Sequence, residues 1–133
     1  MGLNHDQDNE IIRDAVRGWV KKACPREAVH RWDEEGAIPK EVFREFASLG
    51  FCGMLVPEEY GGQGRNVSGA CIVIEELAYA SPALASLCAG SGLYGGYVLT
   101  MLGSESRRPC RDAEDCFVLA GAVPRNFTGH DEI

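Results

Sequence analysis

Read as a pattern of apolar and polar positions, the chain opens with an amphipathic helix. Ile11, Ile12, Ala15, Val16, Trp19, Val20 and Ala23 recur at helical spacing, with Arg13, Asp14, Arg17, Lys21 and Lys22 facing away. Asp6, Asp8 and Glu10 lie at its start and Lys21 and Lys22 near its end, the arrangement the helix dipole favours. Pro25 breaks the pattern, and a short helical stretch over 26–35 runs into Gly36. A third helix opens on Pro39 as a first-turn residue, carries Val42, Phe43, Phe46, Ala47 and Leu49, and stops at Gly50. The pattern so far predicts helices over about 8–23, 26–35 and 39–49.

Residues 51–56 are apolar but too few for a surface helix, and Pro57 closes them. The following Glu58-Glu59-Tyr60-Gly61-Gly62-Gln63-Gly64 is a turn-rich loop. A fourth helix, capped by Ser68, runs to about 80, and Ser81-Pro82 opens a fifth that reaches about 102. From Leu77 to Ser104 no residue is charged, which is long enough to raise a membrane span. Pro82, five Gly and four Ser within it, and the acidic Glu75-Glu76 before it, argue against insertion. A helix apolar on every side is more simply the central helix of a bundle.

After Gly103 the character changes. Ser106-Arg107-Arg108-Pro109 is a breaker, residues 111–115 are charged, and 116–123 read as a buried strand ended by Pro124. The predicted fold is therefore mainly α, a helical bundle over 1–105 with a short β stub in 106–133. Trp19, Phe43, Phe46, Leu55, Ile72, Leu77 and Leu87 are the expected core.

Composition narrows the functions open to this chain. The 133 residues are 45% hydrophobic and 25% charged, the balance of a globular domain. Twenty acids against thirteen bases give a net charge of −7, which opposes binding to nucleic acid or to an anionic lipid surface. Six cysteines (Cys24, Cys52, Cys71, Cys88, Cys110, Cys116) include no CxxC, and His5, His30 and His130 have no metal-ligand spacing, so no metal site is expected. The cysteines mostly stand among aliphatic residues, where a thiol behaves as a small hydrophobe. The first ten residues show no basic stretch followed by an apolar run. A reduced, cytoplasmic protein is the expectation.

Two patterns tempt a catalytic reading. Gly90-Ser91-Gly92-Leu93-Tyr94-Gly95 matches GxGxxG, with Asp115 further on. Dinucleotide binding needs that loop between a strand and a helix, but residues 83–89 contain no β-branched residue and read as helix. Glu58-Glu59 and Glu75-Glu76 could be general acids, yet neighbours on a helix point in different directions. Such pairs are more often one solvated residue and one ion-pair or capping residue.

Leu49-Gly50-Phe51, Gly53 and then Val56-Pro57-Glu58-Glu59-Tyr60-Gly61-Gly62-Gln63-Gly64 resemble the N-terminal signature of the acyl-CoA dehydrogenases. Ala23-Cys24-Pro25-Arg26 and Asp33-Glu34-Glu35-Gly36-Ala37-Ile38-Pro39 extend the likeness upstream, and Glu75-Glu76-Leu77-Ala78 and Gly103-Ser104-Glu105 downstream. The resemblance covers residues 8–105. It implies an N-terminal helical domain, an acyl-CoA substrate, FAD, and α,β-oxidation in which a glutamate removes the α-proton and flavin accepts hydride. Gly61, Gly62 and Gly64 suit positive φ in a tight loop. By resemblance, Ala89, Gly90, Gly92 and Leu93 wall the acyl chain; close helix packing by small residues is the equally open alternative.

The chain also departs from the family. It has no TEP and no GSD motif, and several dozen family residues are missing between Glu105 and Arg111. Residues 111–122 are similar to a later strand of the middle β-domain, and Asn126-Phe127-Thr128-Gly129 resembles its flavin-facing segment, which makes Thr128 a flavin contact by resemblance. No residue corresponds to the glutamate base of the family's C-terminal domain. The expectation is a truncated dehydrogenase inactive by itself, with a non-catalytic helical module that binds a partner or a full-length paralogue as the rival. Either form would favour a homo- or hetero-oligomer.

Overall fold

A computed structural model describes residues 3–103, except the side chains of 3–6 and 92–94. The predicted strand over 116–123 and Thr128 lie outside the described residues. Those that are described fold into helices and turns with no strand: α1 (Leu3–Ala23), α2 (Arg26–Glu35), α3 (Lys40–Ser48), α4 (Val67–Ala80), α5 (Pro82–Cys88), a π-helical stretch Ala89–Gly96, and α6 (Tyr97–Leu102). Short 3₁₀ turns, Phe51–Gly53 and Glu58–Tyr60, fill the link between α3 and α4.

The differences from the predicted boundaries have local causes. Pro39 stands just outside α3 as its N-cap, in extended backbone, rather than in the first turn. The cap of α4 is Asn66, whose Oδ1 accepts from the Gly69 N–H at 2.8 Å, so the helix begins before Ser68. Ser81 caps α5 as expected, its Oγ accepting from the Leu84 N–H at 3.2 Å, with Pro82 in the first turn. The single helix predicted over 82–102 instead widens into π-helix over Ala89–Gly96, a stretch with four glycines that leave its backbone freer to rewind.

The core is built where α1, α3 and α4 meet. Phe46 is fully buried, its ring 4.7 Å from that of Trp19 and 5.4 Å from that of Phe51. The indole N–H of Trp19 donates to Glu45 Oε1 at 3.0 Å, so the large ring is anchored at its polar end as well. Val16, Leu77 and Leu84 are also fully buried. Of the predicted core, Trp19, Phe43, Phe46, Ile72 and Leu77 are buried. Leu55 and Leu87 are half-buried at its edge, because Met54 and Val56 turn inward beside the first and Leu84 and Cys88 beside the second. On α1, Ile11 and Ala15 face solvent, since the buried stripe runs through Val16 and Trp19.

Arg13 and Arg17, expected to face away, reach across to α4. Arg13 Nη1 donates to Glu76 Oε1 and Arg17 Nε to Glu76 Oε2, both at 2.7 Å. The Glu76 side chain is only 5% exposed, so its charge is held by partners rather than water. Burial pushes the Glu76 carboxyl upward, but the hydrogen bonds from Arg17 and Arg13 outweigh it and hold the group below its ordinary value. Glu75, its neighbour in sequence, is half-exposed and takes a longer contact from Arg13 at 3.3 Å.

The glycine loop is pinned by backbone. Gln63 N–H donates to Gly53 O, Gly64 N–H to Val56 O and Asn66 N–H to Met54 O, which lays 62–66 along 53–56. Gly61 has φ +83°, as does Gly64, but Gly62 does not need positive φ. Its constraint is closeness: a Cβ there would collide with the Val56 carbonyl oxygen.

Three outcomes follow for stability. Phe46→Ala should cost about 3–5 kcal/mol in urea unfolding, since a fully buried aromatic leaves a cavity. Gly62→Ala should be destabilising too, by about 1–3 kcal/mol, because the obstacle is backbone that cannot rotate away. Glu76→Gln should lose on the order of 1–3 kcal/mol at pH 7 through weakened charge-assisted bonds. The folded Glu76 carboxyl lies below its ordinary 4.5, so its charge stabilises fully above that pH and less as pH falls towards the folded value. The gap between wild type and Glu76→Gln should therefore narrow on acidification below 4.5, and urea melts at a series of pH values measure it.

Candidate functional site

The uncharged helix predicted over 82–102 delivers the candidate wall. Ser81 and Pro82 start α5, Leu84 and Ala85 bury it against the core, and Cys88 ends it. The next eight residues, Ala89–Gly96, are π-helical, a winding that is rare and concentrated at functional sites. Within this stretch Ala89 and Gly90 are half-buried, whereas Ser91 and Gly96 are buried. Gly92 and Leu93 fall in the same stretch.

The small residues have at least one structural use. A Cβ on Gly96 would meet Val56 Cγ2 at 2.9 Å, so this glycine lets the stretch close on the 51–56 segment. The buried Ser91 hydroxyl donates to the Cys88 carbonyl at 3.2 Å, satisfying itself within the helix. Packing by small residues therefore accounts for Gly96. Ala89 and Gly90 keep part of their surface open.

A cavity of about 10 Å³ lies beneath, lined by Phe51, Cys52, Met54, Ala70, Val73, Ile74 and Cys88. It has room for one water at most, and neither Ala89 nor Gly90 lines it. Two of its lining groups, Cys52 Sγ and Cys88 Sγ, are 3.7 Å apart. Nothing in the sequence pairs them, because they are 36 residues apart and sit in no motif. Cys24, by contrast, is an inert core thiol: burial, with Glu45 nearby, pushes it up to about 11.

The tempting patterns resolve on the same geometry. Gly90 and its neighbours are wound into helix, with no strand before them among the described residues, so the GxGxxG match is not a dinucleotide turn. Glu75-Glu76 divides into an exposed residue and a buried ion pair, as such pairs usually do. Glu58 and Glu59 are exposed on the 3₁₀ turn before the glycine loop, with Glu58 lying over Gly64. Among the described residues no cluster of three or more His, Cys, Asp or Glu could hold a metal, and no helix is long and apolar enough to cross a membrane.

Comparison with known proteins bears on residues throughout this frame. The family profile described as "Acyl-CoA dehydrogenase, N-terminal domain" matches residues 6–109. Benzylmalonyl-CoA dehydrogenase of Aromatoleum aromaticum is 43% identical over 99 residues, covering 74% of this chain and 26% of that protein. Glutaryl-CoA dehydrogenase of Desulfococcus multivorans is 36% identical over 110 residues, covering 80% of this chain and 28% of that one. A probable acyl-CoA dehydrogenase of Mycobacterium tuberculosis, FadE25, is 36% identical over 99 residues, covering 74% and 25%. The chain spans about a quarter of the length of these curated relatives. With the profile covering most of the chain and the signature loop closed by the backbone bonds described above, the chain belongs to the acyl-CoA dehydrogenase family.

Proposed function

We propose that residues 1–105 are the N-terminal helical domain, and 106–133 a remnant of the middle β-domain, of an FAD-dependent acyl-CoA dehydrogenase. The reaction is α,β-oxidation of an acyl-CoA thioester in fatty-acid or lipid metabolism, in the cytoplasm. Ala89, Gly90, Gly92 and Leu93 form one wall of the acyl site, and Thr128 contributes to flavin contact. The observation that supports this reading is the uncharged helix that widens to π-helix where its side chains are smallest, with Ala89 and Gly90 half-open. An alkyl chain needs such a wall, apolar and without bulk, because each buried methylene gains about 0.8 kcal/mol on leaving water.

The small cavity and the glycine stretch do not fit a flavin. The cavity lined by Phe51, Cys52 and Cys88 takes no more than one water, and the glycines of 90–95 are wound into helix rather than arranged as a phosphate cradle. Flavin supplies hydride acceptance when bound. What these residues can do is exclude water from one side of an acyl chain and orient it. Orientation without a positioned base gives binding and no rate.

A second reading has its own observation. Tyr97, Val98, Met101 and Leu102 on α6, and Leu49 after α3, expose large apolar surface, with Leu102 82% exposed. A face of that kind favours association, with a second copy or with a longer paralogue.

The test uses the purified 133-residue chain. Flavin absorbance should be substoichiometric, dye reduction with acyl-CoAs of several lengths should show no turnover, and calorimetry should give acyl-CoA binding that strengthens with chain length and weakens in Ala89→Phe. Acyl-CoA binding unchanged in Ala89→Phe would contradict the wall assignment, and stoichiometric flavin with turnover would contradict the reading that this chain alone binds without reacting. Acyl-CoA binding that ignores chain length, together with a stable dimer in light scattering, would favour the interaction module.

A further inference from the structure

We propose that Cys52 and Cys88 are a modification site, closing to a reversible disulfide when the protein meets a peroxide. The two thiols stand on different elements, Cys52 in the Phe51–Gly53 turn and Cys88 at the last residue of α5, and their sulfurs are 3.7 Å apart. A disulfide brings sulfurs to about 2.05 Å, so the gap to close is under 2 Å. There is room for that movement: both side chains line the same small cavity, together with the unbranched Met54. The proposal does not depend on the catalytic reading of the chain.

The two positions suit unequal parts. Cys52 is half-buried and so open to a small oxidant, whereas Cys88 is buried, 3% exposed, and reachable chiefly through its partner. Contact with the Cys88 thiol, against the cost of burial, holds the Cys52 thiol below its ordinary value. The same contact, together with burial, pushes the Cys88 thiol up. A more accessible thiol in contact with a buried one is the usual arrangement of an attacking and a resolving cysteine.

The chemistry balances with hydrogen peroxide as the oxidant. Cys52 thiolate attacks one peroxide oxygen, the O–O bond breaks, and hydroxide leaves, giving a sulfenic acid. Cys88 sulfur then attacks the Cys52 sulfur, the S–O bond breaks, and water departs with the Cys88 proton. Two thiols lose two electrons in all, and one peroxide becomes two waters. A dithiol reductant reverses it. The bond would tie the turn that precedes the glycine loop to the residue before the π-helical stretch, across a 36-residue separation, and so restrict the unfolded chain.

The experiment treats the full chain with one equivalent of hydrogen peroxide at neutral pH and maps it by proteolysis and mass spectrometry without reduction. A linked pair of peptides carrying Cys52 and Cys88, lighter by two hydrogens and separated by dithiothreitol, is the expected product. The oxidised chain should melt several degrees higher than the reduced one. Cys88→Ser should abolish the link and leave a sulfenic acid at Cys52 that dimedone traps; Cys52→Ser should abolish both link and adduct. The proposal is overturned if wild type, shown folded by circular dichroism, loses thiols without that linked pair. It is also overturned if the major link joins other cysteines, or if dimedone marks another position in Cys88→Ser. Because the wild-type map decides the question alone, a variant that fails to fold does not rescue it.

Discussion

One buried carboxylate sets the frame. Glu76 enters the interior of the α1–α4 contact as an anion, and an anion there is tolerated only with strong donors on it. Arg13 and Arg17 supply one donor to each oxygen, and because they are four residues apart they do so only for one rotation and one register of α1. That rotation turns Val16 and Trp19 inward, which places the Trp19 ring on Phe46 and leaves Ile11 and Ala15 outside. Phe46 in turn carries Phe51, the first residue of the segment along which the glycine loop is laid. Val56 of that segment meets Gly96 and so positions the π-helical stretch. The candidate wall is thus several contacts removed from the charge that fixes it.

Much of this was legible in the sequence where a local rule and the tertiary fold agree. The range of α2 and the Ser81-Pro82 start of α5 follow from punctuation by Pro, Gly and Ser that the core does not override. Periodicity picked the buried faces of α3 and α4 through Phe43, Phe46, Ile72 and Leu77. It misread α1, because a stripe of seven apolar residues is wider than the face that α4 covers, and two arginines at the seam look solvent-facing until their partner is known. Asn66 and Ser68 are both good caps on paper; only the geometry shows which side chain meets the Gly69 N–H.

The candidate site was legible as a region and opaque as chemistry. An uncharged run rich in Gly and Ala marks a helix buried or bordering an apolar ligand, but pattern alone does not separate those. Coordinates separate them in part: Gly96 is small because Val56 is against it, and Ala89 and Gly90 retain open surface. Winding cannot be read from composition, so the π-helical stretch was invisible. The Cys52–Cys88 contact was invisible for a different reason. Long-range pairing of two unremarkable residues leaves no local trace, and each cysteine by itself looks like core filler.

The claim that the Glu76 seam governs the domain is tested most directly by amide hydrogen exchange on the 133-residue chain in increasing urea. The amides around Val16 and Trp19 in α1 and around Val73 and Leu77 in α4 should exchange slowest and lose protection together as one cooperative unit. Protection that persists in α4 while α1 exchanges at unstructured rates would contradict it, because α1 would then be an ornament on a core that stands without it.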